Sequence, residues 1–524
     1  MTQLPPKMFA LIFLLILRAV FAGEITAGEL KSRRAALNTI KSTELKSHVS
    51  LLADDTLEGR EAGSRGGQAA AKYLIQFLST RTRPAGTQTS HAQYFNRGFQ
   101  NIVGIIPGSD AELADEFVLV GAHYDHVGYG TRQNSNGPVG YIHNGADDNA
   151  SGTSSLLELV DAFSQLEVAP RRSIIFAFWD AEEKGLLGSE HWAANPSVPL
   201  HKIKLAFNMD MVGRLTDNTV QCLGTRTGVG FRQLTSRANT EQMNLDFMWK
   251  LDDNSDHHTF FRRNIPVLML HTGLHSDYHR PSDDVHLIND DGIKKITRLA
   301  FNILFDAANA PSLPNVRSES QFETEDRRAR FESPIAQPAP RLGLSWRIVA
   351  RDPNSEETDS TTTDSNASEI LVVSVSEGTP AAFSGFEIGD QIIAVNGVEA
   401  STSAELRAAV IRAPIASTFE VLRPGESEPA TIEVQLQGEP IRLGISWRQN
   451  PAELGTVAVV RVVKGSAAER AGLQLGDRIW EINEQTFDNS KTFHEFVKDA
   501  VEGESLKFKV ERNGNVAEVN VPLR

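Results

Sequence analysis

Cysteine is nearly absent. Cys222 is the only one in 524 residues, so no intrachain disulfide can form. The chain must hold together by packed cores and, where ligand sets occur, by metal. Basic residues are also in deficit, 52 against 67 acidic, for a formal net charge of -15 at pH 7. This balance argues against nucleic acid or an anionic membrane surface as partner, because both select for Lys/Arg patches. Long apolar runs are missing too, with one exception at residues 8–17, behind Lys7 and broken by Arg18. That run is too short to cross a bilayer as a helix, which takes about 20 residues. With Ala19-Val-Phe-Ala22 after it, the pattern predicts a secretory signal over residues 1–22, cut before Gly23. A retained interfacial anchor is the alternative. No cysteine follows the run, which excludes a lipoprotein signal. Export without disulfides fits a bacterial periplasm or exterior, so the expected location is secreted or periplasmic.

What is present is a soluble globular composition, 40% hydrophobic and 23% charged, in a chain too long for one core. Helical spacing marks residues 45–52, 68–78, 154–163 and 291–308. Apolar runs at 101–106, 116–122, 173–179, 202–209, 219–223 and 265–271 read as strands. Strands alternating with helices predict an α/β domain over 23–310 with a mixed, largely parallel sheet flanked by helices. Residues 311–340 are rich in Pro, Ser and charge and read as a linker. Beyond it, Arg341-Leu-Gly-Leu-Ser-Trp-Arg347 recurs as Arg442-Leu-Gly-Ile-Ser-Trp-Arg448, and a later Gly-Asp segment ending at Asp390 recurs at Asp477. The repeat predicts two small domains, 341–437 and 438–524. The polar run 353–366 accounts for the greater length of the first copy.

The strand 173–179 runs into Asp180-Ala-Glu-Glu183. Unpaired carboxylates are costly to bury, and in open α/β sheets ligands bind at the strands' carboxyl ends. Other strand ends carry matching chemistry: His123-Tyr-Asp-His126, Asp147 and Asp148, Asp210, and Tyr278-His279. Two histidines with three or more carboxylates suit zinc, and the surplus of carboxylates suits two ions sharing one bridge. Taken singly, each has an ordinary reading, His123 as a core histidine and Asp147-Asp148 as a helix cap. Adjacent residues leaving a strand point apart, so Glu183 can face a metal while Glu182 faces a water. Asp180 reads as loop chemistry.

Together, Leu57-Glu-Gly-Arg60, His123-Tyr-Asp125, Gly145-Ala-Asp-Asp-Asn-Ala-Ser-Gly152, Asp180-Ala-Glu-Glu183, Asn208-Met-Asp210 and Tyr278-His279 resemble the di-zinc aminopeptidase family. This family includes bacterial leucyl aminopeptidases and, more distantly, the glutamate carboxypeptidases; the resemblance covers residues 45–309. It implies an exopeptidase with two Zn2+ ions: His123 and Asp210 on one, Glu183 and His279 on the other, Asp147 between them. It further implies Glu182 as general base, Asp125 as acceptor from His123, Tyr278 as donor to the oxyanion, and a non-proline cis peptide at Asp147-Asp148. His257 lines the pocket or is structural. Peptide substrates are implied, trimmed most simply from the amino end. The alternatives are a carboxypeptidase, a single-zinc cyclase of the same fold, and a binding protein with a vestigial peptidase domain.

The two C-terminal units resemble PDZ domains. The resemblance implies that Leu342-Gly343-Leu344 and Leu443-Gly444-Ile445 are loops receiving a peptide carboxylate. It also makes residues 404–410 and 491–497 groove helices, and protein or peptide C-termini the partners. The alternative is that these units only pack within the molecule.

Overall fold

The structure, a computed structural model, describes residues 27–96, 98–350, 368–501 and 503–523. The expected signal segment and the polar run 353–366 lie outside the described residues. No described helix is long and apolar enough to cross a membrane. The chain gathers into two compact units, the first chiefly residues up to Arg328 and the second chiefly residues from Ala329 on.

In the first unit, nine strands form one sheet: β1 (Arg83–Pro84), β2 (Ala92–Phe95), β3 (Phe99–Ile106), β4 (Phe117–His123), β5 (Ser173–Trp179), β6 (Ile203–Met209), β7 (Thr219–Leu223), β8 (Asn244–Phe247) and β9 (Val267–His271). The order is β1-β3-β5-β4-β6-β9-β7-β8, with β2 on β3. β5, β4, β6 and β9 form a parallel block, while β3 and β7 flank it antiparallel. This is the mixed, largely parallel sheet that the alternation of elements predicts.

Helices α1 (Ala27–Leu37), α2 (Ser42–Leu52), α3 (Arg65–Ser79), α4 (Gly152–Ser164), α5 (Leu187–Ala194), α6 (Phe231–Ala238), α7 (His257–Phe261) and α8 (Asp290–Asn309) complete the unit. β5 shows why both faces must be covered. Ile174, Phe176 and Phe178 enter one buried cluster with α2, α3, α4 and α8, whereas Ile175, Ala177 and Trp179 enter another with Trp192 and Phe260. Successive side chains alternate faces, so an all-apolar strand needs a core on each side. Caps fix the helix starts: the Ser64 hydroxyl accepts from Gly67 N–H in α3 and Asn289 Oδ1 from Gly292 N–H in α8, both at N-cap positions. α1 and β2 carry no strong periodic signal and are found only in the structure.

The segment read as a linker holds a helix, α9 (Glu325–Glu332). In the second unit, β10 (Leu344–Ala350), β11 (Ser368–Val375), β12 (Gln391–Val395), β13 (Val398–Glu399), β14 (Ala416–Leu422) and β15 (Ala430–Gln435) form one sheet with α10 (Pro380–Ser384) and α11 (Ser403–Arg412). A second sheet takes β16 (Ile445–Arg448), β17 (Val457–Val462), β18 (Arg478–Ile482), β19 (Gln485–Thr486), β20 (Ser505–Arg512) and β21 (Asn515–Pro522), with α12 (Ala467–Arg470) and α13 (Ser490–Asp499). Strand order is identical, β10-β11-β12-β14-β15 against β16-β17-β18-β20-β21. The sequence repeat is therefore a structural repeat, each copy with its own apolar core.

Candidate metal centre

The parallel block delivers its strand ends to one place. β4 ends at His123, β5 leads through Ala181 to Glu182 and Glu183, β6 leads to Asp210, and the loop after β9 carries His279. Two groups of ligand atoms form there, each with its atoms within 4.8 Å of one another: His126, Asp148, Glu183 and His279; and His123, Asp148 and Asp210. Asp148 belongs to both. Its Oδ1 lies 3.4 Å from His123 Nε2, and its Oδ2 lies 3.1 Å from His279 Nε2. His123 Nε2 is also 3.4 Å from Asp210 Oδ1, and His279 Nε2 is 3.2 Å from Glu183 Oε2. Ala181, Met211 and His279 take positive φ of 56°, 52° and 53°. His279 is itself in a ligand group, Met211 follows Asp210, and Ala181 lies two residues before Glu183; non-glycine residues in left-handed backbone tend to concentrate at such sites.

Asp147, expected between the ions, is turned away and corrected to Asp148. Asp147 Oδ1 accepts from Gly213 N–H at 2.6 Å and from the Ser151 hydroxyl at 3.0 Å, and its Oδ2 is 3.2 Å from His275 Nε2. Asp147 belongs to neither ligand group, and Asp148 belongs to both. Asp283 accepts from the amides of both Asp147 and Asp148, which fixes the turn that sends Asp148 inward. The cis peptide is Asp148–Asn149, one bond on from the expected position.

Asp125 also differs from expectation. Its carboxylate is 3.8 Å from His123 Nδ1, beyond hydrogen-bond reach, while the His123 ring nitrogen lies 3.1 Å from the Asp125 backbone carbonyl. The Asp125 carboxylate instead accepts from Glu182 N–H at 3.0 Å, so it holds the backbone of the turn that presents the two glutamates. His126, unassigned in sequence, sits with its Nδ1 2.8 Å from Glu183 Oε1. His257 is buried with Nε2 2.8 Å from the Asp252 carbonyl, a structural placement, and burial lowers it to about 4. Tyr278 stacks on the His279 ring at 3.9 Å between centroids.

Two residues that sequence reasoning left without a role hold the frame. Arg60 is fully buried and donates to the carbonyls of Leu52, Tyr124, Asn144 and Gly145. It thereby ties the exit of β4 to the turn before Asp147, which explains the glycine-arginine end of its motif. Asp180 accepts from Gln100 N–H at 2.8 Å and Ala181 N–H at 2.9 Å, pinning the strand exit to β3. Its carboxyl is buried and raised to about 6. It is a clamp, not loop chemistry.

The electrostatics are those of crowded acids. Burial drives Glu182 well above the usual carboxylate range against the pull of His123, and Glu183, Asp256 and Asp210 add to the rise. Burial alone would raise Asp148 too, but bonds to His123 and His279 hold it well below that range. His123 goes well above 6.5 because Glu182 and Asp210 outweigh its burial. Burial raises Tyr278, with acids nearby adding to it, so its phenol stays protonated. Buried Asp210 Oδ1 has no hydrogen-bond partner among the described residues. An orphaned buried oxygen beside imidazole and carboxylate fits a divalent cation. This cluster could bind metal.

In the second unit, Leu342 and Leu443 are buried, and Gly343 and Gly444 take φ of 86° and 87°. A Cβ at either glycine would fall within 2.3 Å of a Thr379 or Ser466 carbon. Each loop leads into a strand at the sheet edge, β10 or β16.

Residues 101–304 match the family described as Peptidase family M28, and residues 341–436 and 442–523 each match the PDZ domain. Among curated proteins, the chain is similar to leupeptin-inactivating enzyme 1 of Streptomyces exfoliatus, 29% identical over 178 residues, 33% of this chain and 36% of that one. It is also similar to aminopeptidase YwaD of Bacillus subtilis, 28% identical over 246 residues, 44% of this chain and 50% of that one. The chain spans half or less of the length of these relatives. Among solved structures, the LapA aminopeptidase of Legionella pneumophila is 21% identical with a TM-score of 0.44, covering 55% of this chain and 77% of that one. The chain carries a Peptidase family M28 domain followed by two PDZ domains.

Proposed function

We propose that this chain is an exported zinc aminopeptidase, removing residues from the free amino ends of peptides, with PDZ modules that bind peptide carboxyl ends. The observation that carries it is the pair of ligand groups sharing Asp148 beside Glu182. His126, Glu183 and His279 with Asp148 would hold one ion, and His123 and Asp210 with Asp148 the other. Zinc held there would supply Lewis acidity to a scissile carbonyl and to a water.

The chain's own residues do the rest. Glu182 takes a proton from the attacking water and delivers it to the leaving amine; a carboxyl raised by burial among acids is suited to hold a proton between the two transfers. The Asp125 bond to Glu182 N–H keeps that carboxyl in place. Tyr278, protonated and stacked on His279, donates to the developing oxyanion. Export is supported by the apolar run at 8–17 and the lack of disulfides; a mature amino terminus at Gly23 tests it.

The activity is tested with three versions of one peptide: free, N-acetylated and C-amidated. Trimming of the free and amidated forms, with the acetylated one spared, supports an aminopeptidase. Sparing of the amidated form alone would overturn it in favour of a carboxypeptidase.

A further inference from the structure

One feature recurs in both PDZ modules with the same geometry. In the first, Trp346 of edge strand β10 donates its indole N–H to the Ser403 hydroxyl at 3.0 Å; in the second, Trp447 of edge strand β16 donates to Ser490 at 3.0 Å. Ser403 and Ser490 are the first residues of α11 and α13. In each copy, therefore, a side chain crosses the gap between the edge strand and the neighbouring helix and is tied on the far side. The match extends to the backbone. The register of β10 against β11 shifts between Ser345 and Trp346, and that of β16 against β17 between Ser446 and Trp447. In both cases the extra residue, Val373 or Val460, sits on the partner strand, so the edge strand keeps its regular alternation.

That alternation decides where the indole lies relative to a ligand. Leu344 and Trp346, two apart on β10, share a face, as do Ile445 and Trp447 on β16. All four pack partly against their module's core. A peptide added to the edge with its carboxylate at the glycine loop alternates in the same way. Its last side chain then lies beside Leu344 or Ile445, and the side chain two residues earlier lies beside Trp346 or Trp447. The surroundings of the two rings differ. The Arg407 guanidinium carbon stands 5.6 Å from the Trp346 ring centroid, while Trp447 meets Phe493 edge-on at 4.9 Å and His494 at 6.0 Å.

We propose that Trp346 and Trp447 set the specificity of the two grooves: each indole, bonded across to Ser403 or Ser490, fills the space beside the third residue from a peptide's carboxyl end. Both grooves then take peptide tails carrying glycine, alanine or serine there and turn away bulky side chains. This rests on the reading of the modules as sites for peptide carboxyl ends. A large side chain must break the Trp–Ser bond and displace a partly buried ring, an overpacking cost that corresponds to about tenfold or more in affinity.

The test is fluorescence anisotropy of the full chain with N-terminally labelled decapeptides, identical except for Ala or Phe third from the end, plus the Ala peptide with an amidated end. The wild-type chain is expected to bind the Ala peptide about tenfold or more tighter than the Phe peptide. The Trp346→Ala, Trp447→Ala chain is expected to lose or reverse that preference. Should this variant lose its fold, Ser403→Ala with Ser490→Ala keeps both rings and releases their ties, and is expected to cut the preference at least threefold. Equal binding of Ala and Phe peptides by the wild type, or a preference unchanged in every variant, overturns the proposal while leaving the groove reading intact. Binding of the amidated peptide as tight as the free acid, or no binding of any peptide, overturns the groove reading and the proposal with it.

Discussion

Asp148 and Asp477 are both buried acids, one in each unit, and they are satisfied in opposite ways. Asp477 is gripped by one arginine: Arg512 donates Nε at 2.7 Å to one oxygen and Nη2 at 2.8 Å to the other, and Gln474 N–H adds a third bond at 2.9 Å. Asp148 has only histidines, and each is shared with a second acid. His123 is divided with Asp210, and His126 and His279 with Glu183. A braced acid such as Asp477 completes its own charge balance and serves the fold. An acid cluster whose partners are oversubscribed leaves negative charge for a cation to neutralise. Glu190 belongs to the braced kind, held by Arg262 and Arg263.

The largest effect that sharpens this contrast is expected within the oversubscribed cluster. Glu182→Gln removes the proposed proton carrier, which belongs to neither ligand group. Its kcat on a peptide with a free amino end is expected to fall by about 10²–10⁴, the usual share of general acid–base catalysis, with zinc content unchanged. A variant with wild-type kcat would break the assignment of Glu182. Asp477→Asn, by contrast, is expected to cost about 1.5–3 kcal/mol of stability in the second PDZ module, the value of a charge-assisted bond. Denaturant unfolding of the chain, followed by circular dichroism in the β-sheet region, measures this, and peptidase activity should not move. Lost activity in that variant would blur the line between brace and site.

The smallest effect is a pH dependence at Glu190. Burial alone would raise this carboxyl, but donors from Arg263, Thr259 and Arg262 override it and hold it at about 2, against 4.5 for the free group. A depressed folded-state value stabilises the protein above the unfolded pKa, and that stabilisation is lost as pH falls through the folded one. Glu190→Gln is therefore expected to flatten the decline of melting temperature between about pH 4.5 and 2. An unchanged slope would remove Glu190 from the braced class.

Much of this was legible in the residues, and the gaps have specific causes. Strand 173–179 was found to the residue because its run is apolar after Ser173, the mark of a strand buried on both faces; 219–223 matches as well, although Thr219 and Gln221 are only half-buried. His123, Glu183, Asp210 and His279, picked out near strand ends or in the loop after one, fall within the two ligand groups. The adjacent pair Asp147-Asp148 could not be resolved from sequence. Which one faces the cluster is decided by donors at Gly213, Ser151 and His275 and by the acceptor Asp283, all remote in the chain or around a turn. Arg60 was quoted within a motif but its task, bonding four carbonyls from three segments, exists only in three dimensions. The Trp–Ser ties of the PDZ modules were hidden for the same reason. Each half sits in its own repeat motif or helix start, and nothing in the spacing reveals that they meet.

On the proposed function, the oversubscribed acids form a two-ion metal site joined at Asp148. Elemental analysis of the wild-type chain and of Asp148→Asn, purified side by side without chelator, tests it most directly. About two zinc ions per chain in the wild type and none in the variant is the predicted result; equal zinc in both, or full peptidase activity from a wild-type chain that holds none, would contradict it.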